Sequence, residues 1–88
     1  MLKVKEGFVL RTVAKQHVVV PTGEDSVNFN GVITLNDSGK ALFELLQQGT
    51  DKASLSQKLI DTYDVDDARA KEDVDAFLDT LKAKHVLR

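Results

Sequence analysis

At Asn36 the spacing of apolar residues changes. Before it they fall at alternate positions, in "FVLRTV" (Phe8 to Val13), "QHVVVP" (Gln16 to Pro21) and the series Val27, Phe29, Ile33, Leu35. After it they recur at the three- and four-residue steps of a helix. A period of two marks a strand with one buried face, and a period near 3.6 marks a helix with an apolar stripe. Strands first and helices afterwards give an α+β fold rather than alternating βαβ units.

The two valine-rich runs are separated by Ala14 and Lys15 alone. That is hairpin spacing, although neither residue is a favoured turn former. Pro21 and Gly23 supply a second turn. A third strand is expected from Val27 to Leu35, with a bulge or break at Gly31. Asn36 or Asp37 then caps a first helix carrying Ala41, Leu42, Phe43, Leu45 and Leu46. Gly49 ends it and Thr50 is placed to cap the next, which has Leu55, Leu59, Ile60 and Tyr63 on one side. Asp66 or Asp67 caps a third helix with the stripe Ala70, Val74, Phe77, Leu78 and Leu81, and Val86 and Leu87 fold back to close the core. The prediction is a three-stranded antiparallel sheet followed by three helices, winged-helix-like, in a single domain spanning residues 1–88.

Size and composition exclude much. With 88 residues, 42% hydrophobic and 30% charged, the chain makes a small globular core with no room for a deep enclosed active site. It has no cysteine, hence no disulfide, thiolate metal site or cysteine nucleophile. The start "MLKVKEGFVL" lacks the apolar run of a signal peptide, no stretch approaches membrane-spanning length, and a cytoplasmic location without membrane attachment is expected. The net charge of −2 opposes a nucleic-acid binder that works by neutralising phosphates.

No catalytic constellation emerges. His17 and His85 lie far apart without partners at metal-ligand spacing, and are expected to be exposed or half-buried imidazoles. Asp61, Asp64, Asp66 and Asp67 lack the glycine and distal glutamate of a calcium loop, which leaves them as helix caps. No Gly-x-Ser-x-Gly turn surrounds Ser38, Ser54 or Ser56, and Gly31 and Gly39 do not form a phosphate loop. Neither a metal nor a cofactor is expected, and the chain is not read as an enzyme.

One feature of the sheet is open to function. A three-stranded sheet has two edges, each with unpaired N–H and C=O groups, and proteins usually guard such edges with lysine, proline or bulges. "GVITL" has neither charge nor proline. It is either paired within the sheet or a template for another chain's strand.

"VVVP", "NGVITLNDSG", "LFELLQQGT", "LIDTYDVD" and "DVDAFLDTLKAKHVL", in this order and spacing, resemble the PqqD family, also called the RiPP precursor recognition element. The resemblance runs from about Phe8 to Leu87. It implies a non-catalytic protein that binds the leader segment of a ribosomally made precursor peptide. Such a protein presents the leader to a maturase, often a radical S-adenosylmethionine enzyme. It further implies that the leader adds as a strand beside the third strand, at Val32, Ile33, Thr34 and Leu35, in a groove walled by the third helix. Ala70, Asp73, Val74 and Phe77 would form that wall, with Leu78 and Leu81 behind them. Two residues depart from the family pattern. Phe43 stands where many members have tryptophan, and His85 stands where a glycine often precedes the last apolar residues, so the final turn is expected to close differently. Many unrelated peptide pathways use this module, so the resemblance does not name the product.

Other readings stay in view. A winged-helix DNA-binding domain fits the helix-turn-helix spacing, but the third helix carries Asp66, Asp67, Glu72, Asp73, Asp75 and Asp79 against four basic residues. An adaptor could use the same edge for a partner protein's own strand. The unguarded edge predicts a monomer or a weak edge-paired dimer.

Overall fold

The computed structural model describes residues 1–22 and 33–88. Three strands, β1 (Phe8–Val13), β2 (Gln16–Pro21) and β3 (Ile33–Leu35), precede three helices, α1 (Asp37–Gln48), α2 (Lys52–Tyr63) and α3 (Asp67–Ala83). The sheet is antiparallel in the order β1-β2-β3, so β1 and β3 are its edges. The expected α+β order holds. The part of the third strand expected from Val27 to Val32, with its break at Gly31, lies outside the described residues.

The hairpin turn is tight. Ala14 and Lys15 both have positive φ, 51° and 68°, the pattern of a type I′ turn, and Val13 pairs with Gln16 across it. Alternation then sorts the side chains of β2. His17 and Val19 face the core, while Gln16 and the half-buried Val18 and Val20 face outward. Ile33 and Leu35, opposite Val19 and His17, share the core face, and Thr34 is exposed.

His17 is not the exposed or half-buried imidazole that its isolation in the sequence suggested: it is buried. Its Nε2 lies 2.8 Å from Oδ1 of Asp37 and its Nδ1 lies 2.9 Å from the Thr12 hydroxyl. A carboxylate only accepts, so Nε2 donates to it, and Nδ1 shares the second hydrogen bond with the Thr12 hydroxyl. The histidine thereby ties both hairpin strands to the first residue of α1.

Each helix begins with an Asx cap. The side chains of Asn36, Asp51 and Asp66 accept the backbone N–H groups of Gly39, Ser54 and Arg69. The second cap is therefore Asp51 and not Thr50, whose backbone instead exchanges two hydrogen bonds with Leu2. Gly49 closes α1 at φ 98°, a conformation that favours glycine. Phe43, Leu46, Leu55, Leu78, Leu81, Val19, Val74 and Val86 are the largest fully buried side chains of the core. Tyr63, expected on the buried side of α2, is 42% exposed.

The chain end closes as a Schellman turn. Val86 N–H bonds the Leu81 carbonyl and His85 N–H bonds the Lys82 carbonyl, with Leu81 and Val86 both fully buried. His85 takes φ 60°, so the last turn keeps the conformation glycine favours despite the histidine. Replacing it should relieve that strain: His85→Gly is expected to raise stability by about 1 kcal/mol, read from the urea midpoint.

The Ser54 backbone N–H, and then its hydroxyl, hold the Asp51 carboxyl below its ordinary pKa. A depressed folded-state pKa contributes stability above the unfolded value, which is lost as pH falls through the folded one. Thermal melts stepped down into the carboxylate range should show a smaller acid loss for Asp51→Asn than for the native chain.

Candidate functional site

The hydrogen-bond parity of the sheet decides what the β3 edge offers. Thr22 donates its N–H to the Gly7 carbonyl at 2.6 Å, on the β1 side. Alternate residues of a strand direct their groups to the same neighbour, so Val20, Val18 and Gln16 also face β1, and Val19 and His17 face β3. Opposite those two lie Ile33 and Leu35, whose N–H and C=O groups are thus taken by β2. Thr34, opposite Val18, sends its N–H and C=O away from the sheet. It is the outward rung of the described edge, and its side chain is exposed.

Beyond the end of β3 the first turn of α1 comes in close. A Cβ built on the buried Gly39 would stand 3.2 Å from Cβ of Leu35 and 3.3 Å from the Asn36 side chain. The missing side chain lets the helix start against the strand. Beside this junction is a cavity of about 310 Å³, floored by Gly39, Leu42 and Leu59 and bordered by Arg69, Asp73 and Phe77 of α3. A second cavity of about 360 Å³ adds Asp37, Tyr63 and Val65. The two share Asn36, Ser38, Leu59 and Asp73, so they form one trough. Arg69 Nε donates to both carboxylate oxygens of Asp73 at 3.3 Å, one helical turn along the rim.

The residues expected at this site divide. Thr34 presents the edge, and Ile33 and Leu35 hold the strand to the core. Val32 lies outside the described residues. On α3, Asp73 and the half-buried Phe77 line the trough. Ala70 and Val74 do not: at 0% and 1% exposure they are core residues, and Val74 borders a separate cavity of about 400 Å³ between α2 and α3. The helical wall is therefore the line Arg69, Asp73, Phe77, with i, i+4, i+8 spacing. None of Arg69, Leu59, Tyr63 and Val65 was placed at the groove by the sequence. Arg69 is indistinguishable there from a solvated charge, and Tyr63 reads as one more residue of an apolar stripe.

Among the described residues no group of histidine, aspartate and glutamate could hold a metal ion, and no helix is long and apolar enough to cross a membrane.

Comparison with known proteins bears on this geometry. No curated protein matches the chain in sequence. Three solved structures share its fold. TbiB1 in complex with the TbiA(beta) leader peptide is 20% identical, with a TM-score of 0.78, and the match covers 98% of this chain and 94% of that one. Lasso peptide synthetase B1 complexed with the leader peptide is also 20% identical, at 0.78, covering 99% and 96%. The PqqD truncation of Methylobacterium extorquens PqqCD, described as a functional and stand-alone RiPP recognition element, is 25% identical, at 0.75, covering 99% and 87%. Residues 16–87 match the sequence model of the family described as coenzyme PQQ synthesis protein D. The chain belongs to the PqqD family.

Proposed function

We propose that this protein is a non-catalytic, cytoplasmic peptide chaperone. It binds the leader segment of a ribosomally synthesised precursor as an added strand on β3 and presents it to a maturation enzyme, a radical S-adenosylmethionine enzyme being the partner the family favours. The carrying observation is the outward rung at Thr34, on an edge that opens into a trough floored by Leu42 and Leu59 and walled by Phe77. Backbone groups supply affinity to a strand-adding peptide, and side-chain pockets supply selectivity. The M. extorquens relative is described as a recognition element, and two proteins of this fold were solved holding leader peptides.

Apolar anchors and strand hydrogen bonds together give roughly 10 kcal/mol gross. Ordering the guest costs about 3 kcal/mol. The remainder corresponds to a dissociation constant on the order of 10 μM.

The DNA-binding reading is weaker. It keeps the short connection between α1 and α2, but Asp67, Glu72, Asp73, Asp75 and Asp79 are all exposed on α3. A helix so charged repels phosphates.

Two measurements test the proposal. Thr34→Pro removes an N–H that no strand of this sheet uses, so circular dichroism should show the fold intact while calorimetry shows leader binding abolished. Ile33→Pro should instead destabilise the sheet, because it breaks a bond to Val19. Normal leader binding by folded Thr34→Pro would refute strand addition at this edge. In a gel-shift assay, duplex DNA should show no retardation at physiological salt; tight, strongly salt-dependent binding would favour the winged-helix reading.

A further inference from the structure

The cavity of about 400 Å³ between α2 and α3 has no part in the trough. Successive residues of a helix are turned by about 100°, so the line Asp67, Lys71, Asp75 lies roughly 200° around α3 from the line Arg69, Asp73, Phe77. The groove therefore opens on the far side of α3 from the proposed leader site. Its floor is apolar at Ile60 and Val74, with one exception. Ser56 is only 7% exposed and borders the cavity, and no other described residue hydrogen-bonds its hydroxyl. Water can serve that hydroxyl while the groove is open, but a partner that closes the groove must replace the bond.

We propose that this groove docks an amphipathic helix of the maturation enzyme, with a hydrogen-bonding side chain such as glutamine over Ser56 and a flank charged basic, acidic, basic at i, i+4 and i+8. The inference rests on the peptide-presentation reading: a presented leader fills the trough, and the enzyme then needs a second surface. Shape favours a helix. From Lys52 to Ile60 the groove runs about 12 Å, a little over two helical turns. An extended segment would bring N–H and C=O groups that α2 and α3, already bonded within themselves, leave unmet. A helix brings none. Charge sets the flank, since Asp67, Lys71 and Asp75 alternate in sign one turn apart on the α3 rim. Their bonds within the chain, Lys71 Nζ to Asp67 at 3.9 Å and Lys52 Nζ to Asp75 at 3.2 Å, join exposed side chains. Such pairs are weak and exchange readily with a partner's charges.

Two lactam-bridged helical peptides of about four turns supply the probe, each with leucines and a central glutamine on one face. They differ only in the flank, lysine-glutamate-lysine in one and glutamate-lysine-glutamate in the other. On the full chain the first should bind roughly tenfold tighter at low salt, with NMR amide shifts confined to α2 and α3. Lys71→Asp together with Asp75→Lys, both at exposed positions, should reverse that preference. Leucine in place of the central glutamine should weaken binding to the native chain severalfold, and Ser56→Ala should remove that difference. Thr34→Pro should leave helix binding unchanged. The maturation enzyme of the same gene neighbourhood, added to the leader complex, should displace the first peptide; failure to displace it refutes the enzyme as occupant. If the two peptides bind alike, if neither binds, or if the shifts fall around Thr34 and Phe77, the groove is not a docking site and strand addition stands on its own test. If folded Thr34→Pro binds leader normally while the first peptide still binds as expected, strand addition fails and the groove stands.

Discussion

The two-residue turn at Ala14 and Lys15 is the constraint on which the rest of the sheet depends. A hairpin closed this tightly has no slack in its register. Val13 must meet Gln16, and every later pairing inherits the same parity, as far as the bond between Thr22 and Gly7. A slip of one residue would turn His17 and Val19 to the outer face and leave outward-facing side chains in the core. It would also exchange the roles of Thr34 and its neighbours, moving the outward rungs to Ile33 and Leu35. The turn holds its register although neither residue prefers positive φ, a strain of the order of 1 kcal/mol each. The buried partners of Val19 evidently outweigh it.

Placement of α1 is the second determinant, because the trough is made largely from the start of that helix. Three local devices set it. The Asn36 side chain caps the helix, Gly39 allows its first turn to touch Leu35, and the His17 to Asp37 bond anchors it to the central strand. At the helix's far end, Leu2 exchanges backbone bonds with Thr50, and Val4 donates to Leu46. Val4 also bridges to Leu87, and both are buried in the core. The contacts at the start of α1 thus shape the trough directly, and those at its far end lie away from it.

Most of the architecture could be read from periodicity, since strands and helices differ so clearly in their apolar spacing. The first two strands and the helix caps at Asn36 and Asp66 agree with that reading. The helical wall was harder to place. Apolar spacing identifies the stripe that enters the core, so Ala70 and Val74 were expected at the groove when they in fact pack inside. Their immediate neighbours Arg69 and Asp73 lie about 100° around the helix and border the trough. No sequence pattern distinguishes a charge at a groove rim from one in open solvent. The parity of β3 was equally illegible, because it depends on which side of β2 carries the bonds to β1. The burial of His17 was not foreseen because its partners, Thr12 across the hairpin and Asp37 twenty residues on, are chemically ordinary.

Pro21 carries a further consequence. By the parity of β2 its nitrogen faces the β3 side, where proline has no hydrogen to donate. The described pairing of β2 with β3 covers only His17, Val18 and Val19. On the proposed strand addition, the described part of this edge offers a guest the outward rung of Thr34. With a dissociation constant on the order of 10 μM and an association rate constant near ~10⁶ M⁻¹s⁻¹, a bound leader would leave at roughly 10 per second. Its residence would then last about a tenth of a second. A maturase slower than that would meet many successive guests for each one it processes, so the chaperone would sample precursors in rapid exchange rather than escort a single molecule through its chemistry.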